Sequence, residues 1–157
     1  MRLSTKSQYA VRALVRLNLE HQGSPISLRE IAECEKISLT YLEQLFAKLR
    51  RGKLVRSVRG PGGGYILDLP ATKITLDQVI DSVEETLVPV SCMDDLGQCN
   101  CDELCLTHSV WAGLNTHIRQ YFTSITIDDL TRDAEKQRAK QGIDKPLTAT
   151  NNMNLEG

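Results

Sequence analysis

The sequence predicts a mainly α-helical fold in which a winged helix-turn-helix domain precedes a long C-terminal dimerisation helix. Three patterns support this prediction: two short helices joined by a turn, a glycine-rich hairpin directly after them, and a helix with a wide apolar face in the last third of the chain. Apolar periodicity and turn residues are the local signals that separate helices from hairpins. The predicted regions are a winged helix-turn-helix domain at 1–70, a connecting helix at 71–91, a cysteine loop at 92–108, dimerisation helices at 108–138 and a disordered tail at 139–157.

The first three helices are predicted from their capping residues and apolar stripes. Ser4 can cap a first helix whose apolar residues recur at three- and four-residue steps. Ser27 and Glu30 match a capping box, which opens a short second helix. Ser38 can cap a third helix over 39–51, with a polar face and a basic end. Two helices joined in this way indicate a helix-turn-helix, whose second helix is placed to enter a DNA groove.

A glycine-rich segment follows the third helix. Residues 54–58 predict a strand and 64–67 its return strand, with Arg-Gly-Pro-Gly-Gly between them. Glycine permits positive φ values and close backbone approach, and an arginine at this position can enter a minor groove. A phosphate-binding nucleotide loop is excluded, because no Gly-Lys-Ser/Thr follows and no helix begins after the glycines. The segment therefore predicts the wing of a DNA-binding domain, with Arg59 and Gly60 at the DNA.

Charge is divided unevenly along the chain. Residues 1–68 carry 12 Lys and Arg against 6 Asp and Glu, a net of +6, whereas residues 69–157 carry 7 against 14, a net of −7. A basic half suggests a polyanion partner, here double-stranded DNA at a promoter or operator. The candidate DNA-binding residues are Thr40, Glu43, Gln44, Lys48, Arg50, Arg59 and Gly60. Among these residues Glu43 is the most informative about sequence specificity, because a carboxylate accepts a hydrogen bond from cytosine N4 but repels phosphate.

Four of the five cysteines and one of the three histidines fall within residues 92–108, with the spacing C-x6-C-x-C-x3-C-x2-H. No apolar run approaches the ~20 residues of a membrane helix, and the N-terminus does not resemble a signal peptide. We therefore expect a cytoplasmic protein without a membrane partner, in which clustered cysteines indicate metal or redox chemistry and not disulfides. We expect no enzymatic activity and no small-molecule substrate.

Thiolates and imidazole are suitable ligands for zinc and for iron–sulfur clusters. Structural zinc usually shows two close pairs of the C-x2-C type, and this loop has none. The spacing favours an iron–sulfur cluster, with zinc second and a metal-free thiol sensor third. The most economical ligand set is Cys92, Cys99, Cys105 and His108. The alternative set consists of the four cysteines, with Cys101 in place of the histidine.

A long helix is predicted from Thr107, as its N-cap, to about Phe122. Its apolar residues cover more of the helix surface than packing on one side requires. They are Val110, Trp111, Leu114, Ile118, Tyr121 and Phe122. We therefore predict that this helix packs against a second copy of the chain in a homodimer. A last helix is expected from Ile127 to about Gln137.

Four stretches resemble the IscR-like regulators of iron–sulfur cluster assembly. They are Met1-Arg2-Leu3-Ser4-Thr5-Lys6 with Tyr9-Ala10-Val11, the run from Ile37 to Phe46, the wing from Ser57 to Tyr65, and Cys105-Leu106-Thr107-His108 with Trp111. The resemblance covers about residues 1–135. It implies a homodimeric winged-helix repressor that binds a 2Fe–2S cluster through three cysteines and one histidine and represses cluster-assembly genes when supply is sufficient. Carried over, the ligands are Cys92, Cys99, Cys105 and His108, and the DNA contacts are Thr40, Glu43, Gln44 and Arg59.

The chain departs from that family pattern in ways that define the alternatives. The gap from Cys92 to Cys99 is one residue longer, and Cys101 is an additional thiol, so the ligand assignment stays open. A sister branch senses nitric oxide with a 4Fe–4S cluster, using three cysteines and an acidic residue near position 8. This chain has Gln8 there and has His108, which ranks a nitric-oxide or redox-sensing iron–sulfur repressor of the same family second. A metal-binding carrier or scaffold without DNA function would explain the cysteine loop but not the basic half or the wing.

Overall fold

The computed structural model describes residues 3–21, 23–83, 87–90 and 105–143. The helices are α1 (Thr5–Glu20), α2 (Leu28–Glu35), α3 (Leu39–Arg51), α4 (Leu76–Val83), α5 (His108–Ser124) and α6 (Ile127–Lys140), with a short 3-10 turn at Ala71–Lys73 before α4. The strands are β1 (Val55–Val58) and β2 (Gly64–Leu67). The prediction of a mainly helical, winged helix-turn-helix chain with a C-terminal helix is confirmed. Cys92, Cys99 and Cys101 lie outside the described residues.

Most of the predicted helix starts are formed by the expected caps. The hydroxyls of Ser4 and Ser38 each accept a hydrogen bond from a backbone N–H of the first turn, at 3.2 Å. Ser27 and Glu30 form the complete capping box. Thr107 differs from expectation: it stands at the N-cap position of α5, but its side chain makes no cap hydrogen bond. Its hydroxyl instead accepts a hydrogen bond from the indole N–H of Trp111 at 3.2 Å.

One hydrophobic core lies under the helix-turn-helix and reaches into the C-terminal part of the chain. The buried faces of α1 and α3 are the predicted apolar stripes, and they are closed by residues of β1 and α4. The members with no exposed surface include Ala10, Ala13, Leu14, Leu17, Leu42, Phe46, Leu49, Ile74, Val79 and Ile127. Burying a side chain of this size is worth ~1.5–3 kcal/mol. The helix-turn-helix therefore shares one hydrophobic core with α4 and with the start of α6.

The segment that leads into α4 is tied to the start of α6. The N–H of Leu76 donates to the Ile125 carbonyl at 2.9 Å, and the N–H of Ile127 donates to the Ile74 carbonyl at 2.9 Å. From this start, α6 packs back along α1 of the same chain. The cap of α6 is a box between Thr126 and Asp129. Hydrogen bonds donated by Thr126 lower the pKa of Asp129, so the carboxylate half of the cap is formed at neutral pH and its contribution to stability is lost as the pH falls through that lowered value.

The wing is a short antiparallel hairpin that is anchored at its base. β1 pairs with β2 from Val55 opposite Leu67 to Val58 opposite Gly64. Ile26, ahead of α2, adds a bridge by exchanging backbone hydrogen bonds with Tyr65 at 2.8 and 3.0 Å. A side chain at Gly64 would collide with the Ile26 carbonyl. Glycine is therefore required where the hairpin meets the helix-turn-helix.

Across residues 3–21, 23–83, 87–90 and 105–143, no helix combines the length and the apolar character needed to cross a membrane.

Candidate DNA interface and cysteine–histidine site

The recognition helix α3 presents a polar face to solvent because its apolar face is fixed in the core. Leu42 and Phe46 have no exposed surface, whereas Thr40, Glu43 and Gln44 are exposed. Arg50, near the end of the helix, is exposed as well. The structure therefore brings four of the predicted DNA-binding residues together on the outer side of one helix.

The wing stands beside this helix through an aromatic contact. The rings of Phe46 in α3 and Tyr65 in β2 meet edge to face, with centroids 5.0 Å apart and an interplanar angle of 70°. Edge-to-face pairs of this kind add to the energy of burial. Arg59 and Gly60 are exposed at the hairpin turn, where Gly60 has a φ of +105°. The base of the wing is thus held against α3 while its tip, with Arg59, faces solvent.

Lys48 is placed differently from the other predicted DNA-binding residues. Its side chain is partly buried, and its Nζ donates a hydrogen bond to the carbonyl oxygen of Val83 at 3.1 Å. In this conformation the ammonium group is directed to the backbone of α4 at Val83. Its role in contacting DNA remains a prediction.

The start of α1 lies next to the start of α3, which extends the polar surface around the recognition helix. The Thr5 hydroxyl lies 3.4 Å from the Tyr41 hydroxyl. The Tyr9 and Tyr41 rings meet edge to face with centroids 5.9 Å apart, and the Arg12 guanidinium lies 5.5 Å from the centre of the Tyr9 ring. Sequence reasoning missed Tyr41 as a surface residue of this region. Its helical position falls between the apolar stripe and the polar face, and its neighbours come from another helix.

Cys105 and His108 are joined by a backbone hydrogen bond at the start of α5. The backbone N–H of His108, the first residue of the helix, donates to the Cys105 carbonyl at 3.3 Å. Cys105 is partly exposed and His108 is exposed, and the Cys105 sulfur lies 3.7 Å from the Thr107 hydroxyl. A thiol and an imidazole three residues apart at a helix start are a donor pair that suits zinc or an iron–sulfur cluster. Within the described ranges, no three metal-binding side chains converge.

The helix α5 exposes half of the apolar residues of its predicted face in the single chain and partly buries the others, Trp111, Ile118 and Phe122. It has no buried residue, and Val110, Leu114 and Tyr121 are 62%, 43% and 63% exposed. Its main packing partner is α4, to which Arg119 is tied by ion pairs with Asp77 and Asp81. An apolar face of this extent, with a charged edge held by the neighbouring helix, is typical of a helix that packs against another molecule.

A helix-turn-helix with an exposed polar recognition helix and an adjoining wing defines the winged-helix class of transcriptional regulator. More particularly, this chain belongs to the Rrf2 family, whose description is iron-dependent transcriptional regulator and whose match spans residues 3–133. The resemblance drawn from the sequence motifs is confirmed, because the chain is 39% identical over 156 residues to the HTH-type transcriptional regulator IscR of Pectobacterium carotovorum subsp. carotovorum, covering 99% of this chain and 94% of that protein.

Solved structures of the family have the same fold. T. potens IscR superimposes with a TM-score of 0.72 at 36% sequence identity, covering 88% of this chain and 91% of that one. CymR, the global cysteine regulator of B. subtilis, also superimposes with a TM-score of 0.72, at 31% identity and over 84% of this chain and 97% of that one. Regulators with different names therefore share this architecture.

Proposed function

We propose that this chain is a cytoplasmic, DNA-binding repressor of iron–sulfur cluster assembly genes that senses cluster status through a bound 2Fe–2S cluster. One observation carries the DNA-binding part of the proposal. The polar face of α3 and the tip of the wing are both exposed, while the backs of both elements are fixed by the core and by the contact between Phe46 and Tyr65. Membership of a family of transcriptional regulators supports the same conclusion.

In the proposed complex, the exposed residues of α3 lie in the major groove and the wing lies along the neighbouring groove. Thr40, Glu43 and Gln44 carry hydrogen-bonding groups suited to base edges, whereas Arg50 and the backbone at Gly60 are suited to phosphate. Selection of duplexes from a randomised library, followed by anisotropy titration at several salt concentrations, tests this assignment. We expect a defined sequence and an affinity that falls steeply with salt. Absence of duplex binding at low salt would contradict the proposal and favour a metal carrier.

Arg59→Ala should weaken binding to the selected duplex by ~1–3 kcal/mol if the guanidinium reads a base edge or a narrow minor groove. The loss should be greatest for the selected sequence and smaller for an unrelated duplex. Arg56→Ala is the matched control on the same hairpin, because Arg56 is paired with Asp68 at 3.6 Å and lies away from the turn. Equal losses in the two variants, on both duplexes, would show that Arg59 contributes charge alone.

Glu43→Ala should broaden the selected sequence, since the carboxylate excludes duplexes that would place a phosphate or an acceptor edge beside it. Repeating the library selection with the variant measures this directly as a loss of preference at one or two base positions. Glu33→Ala is the control: it removes the same charge from an exposed position on α2. An unchanged sequence preference in Glu43→Ala would remove Glu43 from the recognition surface.

The proposed cluster ligands are Cys92, Cys99, Cys105 and His108, with Cys101 as the alternative ligand. The position of Cys105 and His108 at the start of α5 supports this set, because both residues are accessible and lie three residues apart, less than one helical turn. The occupancy of a cluster in this loop would depend on the levels of iron, sulfide and oxidant. The loop joins α4 to α5 in the sequence. The proposed cluster would therefore lie between α4 and the helix that is proposed to form the dimer.

The proposed oligomeric state is a homodimer that buries the apolar face of α5. Val110, Leu114 and Tyr121 are exposed, which supports the proposal that another apolar surface covers them. A second copy provides one, because a two-fold axis brings the same face of α5 onto itself. A dimer also presents two recognition helices to one duplex, which is the usual arrangement for helix-turn-helix regulators. Sedimentation velocity of the full chain should give the dimer mass.

A further inference from the structure

The recognition helix α3 is joined to α4 by a side-chain hydrogen bond. Lys48 Nζ, in the last turn of α3, donates to the carbonyl oxygen of Val83 in α4 at 3.1 Å. An ammonium group is a charged donor, and a hydrogen bond from a charged donor is stronger than one between neutral groups. This bond gives the two helices a fixed point of contact.

Close backbone packing strengthens this junction. A side chain at Gly52, the C-cap of α3, would collide with Ser82 Oγ and come within 3.1 Å of Ser82 Cβ. Ser82 is held in place, since its hydroxyl donates to the Gln78 carbonyl at 2.8 Å. Glycine thus allows the end of α3 to lie directly against Ser82 of α4. Because no side chain of α3 separates the two helices at this position, we expect a displacement of α4 to displace α3 as well.

On its other side α4 is clamped to α5. Arg119 Nη1 donates to Asp77 Oδ1 at 2.8 Å and to Asp81 Oδ1 at 2.6 Å. The two aspartates are four residues apart and lie on one face of α4. The helix α5 begins at His108 and packs chiefly on α4. Consequently, α4 is in direct contact both with the helix that carries the histidine and with the helix proposed to read DNA.

We propose that Lys48 and Arg119 are positioning residues that couple α5, through α4, to the recognition helix. In this arrangement Lys48 acts on DNA binding through Val83 and not by contacting phosphate, although the sequence alone places it among the DNA-binding residues. The inference rests on the proposed DNA-binding function. It gives that function a physical route, made of packed helices and charged hydrogen bonds, from the start of α5 to the surface of α3.

Lys48→Met removes the ammonium group and keeps the length of the side chain. We expect the affinity for the duplex selected by the wild-type protein to fall about five- to tenfold. The slope of log affinity against log salt concentration should stay at its wild-type value, because no phosphate contact is lost. Arg50→Met, on the exposed face of α3, is the matched control, and loss of its phosphate contact should reduce the slope by about 1. A reduced slope in Lys48→Met, or an unchanged affinity, would overturn the proposal.

A double-mutant cycle tests the connection between the two positioning residues. Arg119→Gln should weaken duplex binding in the wild-type background but have little further effect when combined with Lys48→Met, because both act through α4. Distant and independent residues give additive effects on free energy instead. Additive losses of affinity in the double variant would overturn the coupling. Asp81→Asn removes half of the same clamp and provides a second variant if Arg119→Gln lowers the unfolding temperature.

Arg132→Gln is the control for the charge of Arg119. Arg132 pairs with Asp128 and Asp129 of its own helix at 3.0 and 2.7 Å. Its replacement therefore removes no ion pair between two helices. Its duplex affinity should equal that of the wild-type protein, and a loss as large as that of Arg119→Gln would contradict the assignment. Failure of the proposed function has a different signature, because the wild-type protein would then show no salt-dependent duplex binding.

Discussion

Cys105→Ser should leave the chain folded and remove most of the iron–sulfur cluster that we propose the chain binds. Cys105 is partly exposed beside the first turn of α5 and is not among the residues of the hydrophobic core, so we expect its isosteric replacement to cost little stability. A serine hydroxyl is a much poorer ligand for iron, because it is a hard donor that stays protonated at neutral pH. Anaerobic purification followed by iron and sulfide assays and by absorption and Mössbauer spectra measures the loss.

The same measurement on His108→Ala and Cys101→Ala decides between the two ligand sets. Loss of the cluster in His108→Ala and its retention in Cys101→Ala supports the set with one histidine. The opposite result supports the four cysteines. Cys34→Ala is the control thiol: Cys34 is partly buried on α2, and burial raises its pKa, which disfavours the thiolate that binds metal. A colourless protein containing zinc, or full cluster content in both Cys105→Ser and His108→Ala, would contradict the assignment.

Glu20→Ala should destabilise the fold by about 3 kcal/mol, since it removes the shared anion of a buried ion-pair cluster. The Glu20 side chain is 1% exposed and accepts hydrogen bonds from Arg16 Nη1 at 3.0 Å and from Arg138 Nη2 at 2.9 Å. Arg16 lies on α1 and is also paired with Glu35 at 2.7 Å, whereas Arg138 lies on α6. Without the carboxylate, two guanidinium groups that are only 15% and 22% exposed lose their common partner.

Urea unfolding measures this effect as a lower midpoint at an unchanged slope. Glu135→Ala is the matched control, because it deletes an exposed glutamate from α6 and should change stability by less than ~0.5 kcal/mol. Because Glu20 joins α1 to α6, the variant should also increase hydrogen exchange in α6 more than in α3. A loss of stability no larger than that of Glu135→Ala would show that the cluster does not hold α6 against α1.

The elements whose signals are local were predictable from the sequence. Ser38 and the apolar stripe of α3 define that helix as Leu39–Arg51, and the glycines define the wing, because caps and positive φ values depend on neighbouring residues alone. Features that depend on tertiary packing were not predictable. The contact of Lys48 with the Val83 carbonyl of α4 and the packing of α6 on α1 both require knowing which faces meet. Thr107 shows that even a helix cap can depend on such contacts. Its hydroxyl was expected to cap α5, but it accepts a hydrogen bond from the indole N–H of Trp111 instead.

The affinity of the same anaerobic preparation for its selected duplex, measured before and after removal of the cluster, tests the central claim most directly. We expect salt-dependent binding in at least one of the two states and a difference in affinity of about tenfold or more between them. Cys105→Ser should give the affinity of the cluster-free state under both conditions. Equal affinity of the wild-type protein with and without its cluster would contradict the claim that a cluster at the start of α5 controls DNA binding.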